Sequence, residues 1–81
     1  MTTAEIIKSI RIPRDKLYYL EQKGFVNPKK ILVGEREARD YSEDDVEKIA
    51  LIWKYVQERF RYRVAYQKAL ESLKINRNEL A

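Results

Sequence analysis

The sequence predicts a mainly α-helical fold with one small β-hairpin, and three observations support this class. A short basic segment, residues 13–23, begins at a proline and stops at Gly24. A β-prone run that turns at Gly34 follows it. Ser42 then precedes an acidic turn and a long segment with apolar residues at helical spacing. Helices, a hairpin and further helices in this order are the plan of a winged helix-turn-helix.

The helix-turn-helix is predicted over about residues 4–24. Its first helix spans about residues 4–10 with Thr3 as the N-cap, because a threonine oxygen can accept a hydrogen bond from the free N–H groups of a first turn. Its second helix spans about residues 13–23. Proline suits a helix start, where its missing N–H would have no partner, and Gly24 can adopt the left-handed conformation that ends a helix.

The wing is predicted over about residues 28–41. The run Ile31-Leu32-Val33 favours a strand, Gly34 marks a turn, and residues 35–40 can return as a second strand. Four cations flank this hairpin. A basic wing can lie on the DNA backbone or enter the minor groove and neutralise phosphates there, although a solvated basic loop would have the same composition. These cations are Lys29, Lys30, Arg36 and Arg39.

Two further helices are predicted, at about residues 42–58 and 62–73, and they complete a single domain over residues 1–81. Ser42 and Asp45 form a capping-box-like start for the third helix, whereas the residues after 73 are expected to be frayed. Helical spacing predicts buried side chains in both helices, with Trp53 in the core. These are Val46, Ile49, Ala50, Trp53, Val56 and Phe60 in the third helix and Val64, Ala65, Ala69, Leu70 and Leu73 in the fourth.

The composition argues against an enzyme. The 81 residues include no histidine and no cysteine, which excludes a His-based triad, a thiolate metal site and a disulfide framework. The acids Glu43, Asp44, Asp45 and Glu47 lie where a helix start favours negative charge, so this position explains them without catalysis. We therefore expect no catalytic residues, no metal site and no cofactor.

The excess of positive over negative charge is confined to the first half of the chain. Residues 1–39 hold nine Lys/Arg against five Asp/Glu, whereas residues 40–81 hold eight of each, so the net charge is +4. A basic balance in the half with the predicted helix-turn-helix suggests a polyanionic partner. No apolar run is long enough to span a membrane and no signal peptide is recognisable, so we expect a cytoplasmic protein without membrane contact.

The second helix carries the candidate DNA-reading residues. Leu17 is expected to face the core, which leaves Arg14, Lys16 and Tyr18 pointing outward. Such a helix fits the major groove of B-form DNA, where arginine and lysine can contact guanine and tyrosine hydroxyls can hold phosphates. Tyr18 and Tyr19 could equally be packing residues, because tyrosine pairs on a helix more often serve the core.

A second basic and aromatic run, Arg59-Phe60-Arg61-Tyr62-Arg63, joins the last two predicted helices. Its arginines could touch phosphates. Alternatively, Phe60 and Tyr62 could dock onto the third helix while the arginines stay in solvent. We favour packing for the two rings. The neutral charge balance of this half of the chain argues against a basic helix at a membrane surface.

Four runs of the sequence together resemble a known pattern. They are Lys16-Leu17-Tyr18-Tyr19-Leu20-Glu21, then Gly24-Phe25-Val26 with Pro28, then Ala38-Arg39-Asp40-Tyr41 and Ser42-Glu43-Asp44-Asp45-Val46. In this order and at these spacings they are similar to the DNA-binding domain of the MerR family of bacterial transcription regulators, over about residues 4–72.

The resemblance implies roles for individual residues. Lys16 and Tyr18 would reach bases and phosphates, Tyr19 would contact a phosphate, and Arg39 would grip the backbone from the wing. Two positions depart from the family pattern, since Tyr18 replaces the usual arginine and Arg11 stands where a turn glycine is common. The chain stops where the family's dimerisation helix and effector domain would begin, so we expect no small-molecule effector within it; monomer and homodimer both stay open.

The leading hypothesis is sequence-specific binding of double-stranded DNA as a bacterial transcription regulator. The second helix would enter the major groove, and the basic wing would lie on the flanking backbone. The alternatives are a small phage-type excisionase or packaging DNA-binding protein and a protein-interaction module on the same fold. An interaction module would bind DNA weakly and without sequence preference.

Overall fold

Four helices and one antiparallel hairpin make up the part of the chain that the structure describes. The structure is a computed structural model, which describes the backbone of residues 1–80 and the side chains of residues 1–74. The predicted class, mainly α-helical with a β-hairpin wing, is confirmed. In chain order the elements are α1 (Thr3–Ile10), α2 (Arg14–Gln22), β1 (Lys29–Val33), β2 (Arg36–Asp40), α3 (Glu43–Gln57) and α4 (Tyr62–Leu80).

Helix α1 begins one residue earlier than predicted, because Thr2 rather than Thr3 is its N-cap. The Thr2 hydroxyl accepts a hydrogen bond from the Glu5 N–H, and the Glu5 carboxylate accepts one from the Thr2 N–H, both at 3.2 Å. This capping box requires an acid three residues after the cap, a spacing that Thr2 meets and Thr3 does not. The bond from the Thr2 N–H holds the pKa of Glu5 below its ordinary value, so the cap weakens as pH falls through that lowered pKa.

The turn between α1 and α2 depends on a left-handed arginine. Arg11 has φ 64°, and its N–H donates to the Ile7 carbonyl at 2.9 Å to close α1. Pro13 then lies just before α2 as its N-cap, in extended conformation, rather than within the first turn. An L-residue with a side chain is disfavoured in the left-handed region, so Arg11 holds the tight turn at an energetic cost.

Helix α2 ends as the sequence predicts, with Gly24 as the residue that follows its C-cap. Gly24 has φ 78°, and its N–H donates to the Glu21 carbonyl while the Phe25 N–H donates to the Leu20 carbonyl, both at 3.0 Å. These two bonds form a Schellman motif, which needs a left-handed residue and therefore favours glycine. The motif turns the chain back towards the core, where Val26 is fully buried.

A single cluster of apolar side chains from α1, α2, α3 and α4 forms the core. Leu17 of α2 is fully buried as predicted, and so is Leu20, while Ile12 before the helix is nearly so. Tyr19 is only partly buried at the edge of this cluster. The buried members are Ile6, Ile12, Leu17, Leu20, Val26, Tyr41, Ile49, Ile52, Ala65 and Ala69.

The predicted inward faces of α3 and α4 need correction. Ile52 is fully buried although the sequence pattern missed it, whereas Ala50 is exposed and Trp53 is only half-buried. Among the described side chains of α4, Ala65, Ala69 and Leu73 are buried, whereas two of the residues predicted to be buried there are exposed. The small alanine side chains let the two helices approach closely. Fewer positions are therefore buried than helical spacing alone suggests. The residues of this region that were predicted to be buried but are exposed are Val64 and Leu70 in α4 and Phe60 before it.

The connection from α3 to α4 repeats the helix ending seen after α2. Arg59 has φ 79°, its N–H donates to the Val56 carbonyl, and the Phe60 N–H donates to the Tyr55 carbonyl. The Phe60 ring packs edge-on against Tyr55 at 6.0 Å between centroids, the contact that often accompanies this motif. Helix α4 then continues to Leu80 rather than ending at 73 in a frayed tail; the final residue, 81, lies outside the described residues.

The predicted hairpin with its turn at Gly34 is present, and a two-residue turn joins two five-residue strands. Gly34 with φ 67° is the first turn residue, where this class of tight hairpin requires a positive φ. At its base the Tyr41 ring is buried, which raises the pKa of its hydroxyl. Backbone hydrogen bonds join Tyr41 to Met1 in both directions, at 2.8 and 2.9 Å, so the base of the wing is tied to the start of α1.

Replacing Arg11 by glycine is expected to raise the free energy of unfolding by about 0.5–1 kcal/mol, because relief of left-handed strain exceeds the added flexibility of glycine. Lys8→Gly, at an exposed position inside α1, should instead lower it by about 1 kcal/mol. Urea unfolding followed by circular dichroism measures both. Equal losses for the two variants would mean that Arg11 carries no backbone strain.

Candidate nucleic-acid interface

The exposed face of α2 presents a row of polar side chains. The Arg14 guanidinium donates a hydrogen bond to the Tyr18 hydroxyl at 3.3 Å, one helical turn further along. Lys16 is also exposed and forms no ion pair with any described residue. The opposite face carries Leu17 and Leu20, which anchor the helix in the core. Burial of that face leaves Arg14, Lys16 and Tyr18 exposed. Arg14 and Tyr18 lie one turn apart on one side of the helix, whereas Lys16, two residues from each, lies on the other side.

Arg39 of β2 reaches back to the same helix. Its Nε donates to Glu21 Oε1 at 2.9 Å and lies 2.7 Å from Oε2, which accepts no aligned hydrogen bond from the described residues. The guanidinium also lies over the Tyr18 ring, 5.1 Å from its centroid. The hydrogen bond with Glu21 raises the pKa of Arg39 above its ordinary value. Arg39, which was expected to contact the DNA backbone, thus connects the wing to α2 in the structure.

These contacts join four side chains into one array, which we call the arginine–tyrosine array. Arg14 bonds to Tyr18, Tyr18 stacks under Arg39, and Arg39 is paired with Glu21. Arg39 uses only Nε for its pair, so its two terminal nitrogens donate no hydrogen bond to the described residues. The array holds the wing at a fixed angle to α2 and leaves cationic N–H groups at its surface.

The other wing cations are more loosely placed. Lys30 forms an exposed ion pair with Glu37 at 3.7 Å, with more than half of each side chain accessible. Lys29 and Arg36 are exposed and make no ion pair among the described residues. Exposed pairs of this kind contribute little to stability, so Lys30 is able to exchange Glu37 for a phosphate, whereas Lys29 and Arg36 have no ion pair to give up.

Tyr19 lies away from the arginine–tyrosine array. Its ring packs edge-on against Tyr62 at 4.7 Å between centroids, and Lys23 Nζ lies 5.7 Å from the ring centroid. Tyr62 therefore docks on α2, not on α3 as we expected, whereas Phe60 docks on Tyr55 of α3 as expected.

A basic groove lies beside Tyr19, between the end of α2 and the start of α4. Sequence reasoning assigned no role to Lys23 and left the arginines around Tyr62 in solvent; only the alternation of arginine and aromatic residues hinted at the groove. Its cavity volume is about 370 Å³, and cationic and aromatic side chains line it. The lining residues are Tyr19, Lys23, Phe25, Arg61, Tyr62 and Arg63.

Neither a metal-binding cluster nor a membrane-spanning helix is present in the described part of the chain. No group of three or more His, Cys, Asp or Glu residues there has the arrangement to hold a metal ion. None of the helices described is both long and apolar enough to cross a membrane.

The fold and the array define a winged helix-turn-helix, with a solvent-facing second helix and an adjoining basic hairpin. The chain belongs to the MerR HTH family of regulatory proteins, whose family model matches residues 1–71. This is a family of DNA-binding transcription regulators. Searches of curated proteins and of solved structures found no match.

The Glu21–Arg39 pair should show measurable coupling in a double-mutant cycle of Glu21→Ala and Arg39→Ala. We expect about 1 kcal/mol in the free energy of unfolding, because the pair is charge-assisted and less than one third exposed on each side. The exposed pair Lys30–Glu37 is the matched control, with expected coupling below about 0.5 kcal/mol. Equal coupling in both cycles would contradict a structural role for Arg39.

Proposed function

We propose that this protein binds double-stranded DNA sequence-specifically as a bacterial transcription regulator. Helix α2 enters the major groove, and the wing lies on the flanking backbone. The observation that carries the proposal is the arginine–tyrosine array, which joins the exposed face of α2 to the wing through Arg39. Membership of a family of DNA-binding regulators supports the same function.

Recognition of bases is assigned to the exposed face of α2. The major groove is about 12 Å wide and admits one helix. Arg14 and Lys16 can donate to guanine O6 and N7, and Tyr18 can donate to an acceptor on a base or a phosphate. Arg14 and Tyr18 already bond to each other, so each side chain is held in place before DNA arrives and loses less rotamer freedom on binding.

Contact with phosphates is assigned to the wing and to the basic groove. Lys29, Lys30 and Arg36 are exposed, and Arg39 keeps two terminal nitrogens for an anion. In the groove, Tyr19 with its neighbours Lys23, Arg61 and Arg63 can hold the backbone next to the α2 end. Phosphate contacts of this kind position a protein on DNA but carry no sequence information.

The first test is selection of bound sequences from a random duplex pool at near-physiological salt. An enriched inverted repeat would establish a sequence-specific homodimer, and an enriched single half-site would establish a monomer. Absence of any enrichment would contradict the proposal and favour a protein-interaction module. If the selected sequence occurs at phage attachment or packaging sites and not at promoters, an excisionase or packaging function is favoured instead.

Substitutions should separate base reading from phosphate contact. Arg14→Ala and Lys16→Ala are expected to weaken binding to the selected duplex by about 1–3 kcal/mol while changing affinity for random duplex much less. Lys29→Ala and Lys30→Ala should weaken binding to both duplexes and reduce the salt slope by roughly one each. Fluorescence anisotropy across a salt series measures these quantities.

Lys74→Ala, at an exposed position far along α4, is the matched control and should leave both affinities unchanged. Equal losses on selected and random duplex for the α2 variants would overturn the assignment of base reading to that helix.

A further inference from the structure

The tip of the wing is apolar and uncovered. All five residues of β1 are exposed, and Leu32 and Val33 have exposed fractions of 79% and 61%. Leu32 is the most exposed large hydrophobic side chain among the described residues. Phosphate contacts need cations or hydrogen-bond donors, and a leucine side chain is neither, so the assigned backbone role of the wing does not account for Leu32.

The strand register places Leu32 on the same side of the hairpin as the arginine–tyrosine array. Residues directly opposite each other in an antiparallel pair share a face. Lys30 is opposite Arg39, and Leu32 is opposite Glu37, so all four lie on one face. Arg39 contacts α2 from this face. Leu32 therefore lies on the same face as Arg39 of the array, farther from α2 and closer to the hairpin turn.

We propose that Leu32 is an apolar wedge that enters the minor groove and partly unstacks one base step beside the sequence read by α2. This inference rests on the proposed DNA-binding function and adds a deformation of the duplex to it. Apolar side chains such as leucine and isoleucine, inserted between base steps, kink DNA by about 20–90° towards the major groove.

The dimensions of the hairpin suit this role. Five-residue strands extend about 16 Å at roughly 3.3 Å per residue, so the tip stands well clear of the core. The minor groove is about 6 Å wide and 7.5 Å deep, which admits a single side chain from the tip of a ribbon and excludes a helix. The two-residue turn at Gly34 keeps this tip narrow.

The charges around the tip favour nucleic acid as the occupant. Lys30 neutralises Glu37 at 3.7 Å on the wedge face, and Arg36 lies beside the turn, opposite Val33. Lys29, Lys30 and Arg36 can therefore take phosphates on either side of the groove while Leu32 meets the bases. Glu35 at the turn is exposed and would oppose the approach to phosphates, so Glu35→Gln should strengthen DNA binding.

The test uses the selected duplex with 2-aminopurine placed in turn at each step flanking the sequence read by α2. Wild-type protein should raise the fluorescence at one flanking step, which reports unstacking. Leu32→Ser should abolish this rise and lower affinity roughly tenfold, as expected for losing a buried apolar side chain. Leu32→Met should keep the rise. Ile31→Ser, on the same strand but the opposite face, is the matched control and should also keep it.

Other outcomes distinguish the wedge from the proposed function. Selective binding by wild-type protein without unstacking at any flanking step would overturn the wedge and leave the proposed function standing. Absence of any selective duplex would overturn both. If Leu32→Ser keeps the unstacking but converts a dimer of the free protein into a monomer by sedimentation, the tip is an interface with a second copy, and the wedge is wrong.

Discussion

The ion pair between Arg39 and Glu21 is the contact on which the placement of the wing depends. The hairpin buries almost none of its own side chains, so it has no core of its own to fix its orientation. The base is held by Tyr41 and its backbone bonds to Met1, and the side nearest α2 is held by Arg39. A two-stranded hairpin is marginally stable alone, so these two attachments determine where its exposed cations lie.

Under the proposed function, structural and binding roles overlap in one side chain. Arg39 stacks on Tyr18 and pairs with Glu21, yet its terminal nitrogens donate no hydrogen bond to the described residues. Charge-assisted bonds of this type are short and directional, so they restrict the guanidinium to one orientation. A protein that positions an arginine in this way prepares its surface for an anion before the anion binds, which reduces the entropic cost of association.

Local signals in the sequence predicted the elements well, and contacts between distant segments explain the errors. Gly24, Gly34 and the Ser42–Asp45 capping box have a physical effect within a few residues, so the ends of α2, the hairpin turn and the start of α3 were predictable. The Arg39–Glu21 pair spans 18 positions and has no local signature. The inward faces of α3 and α4 likewise depend on how closely Ala65 and Ala69 let the helices approach.

The isolation of the wing tip from the core also has an evolutionary consequence. Since no residue of β1 contributes to the buried cluster, substitutions there have little effect on the free energy of folding, as expected for surface positions. Residues that the fold does not need can vary without passing through unstable intermediates. Under the proposed function, changes at the tip alter its contact with DNA at little cost in stability, while α2 and its buried leucines stay under selection for stability.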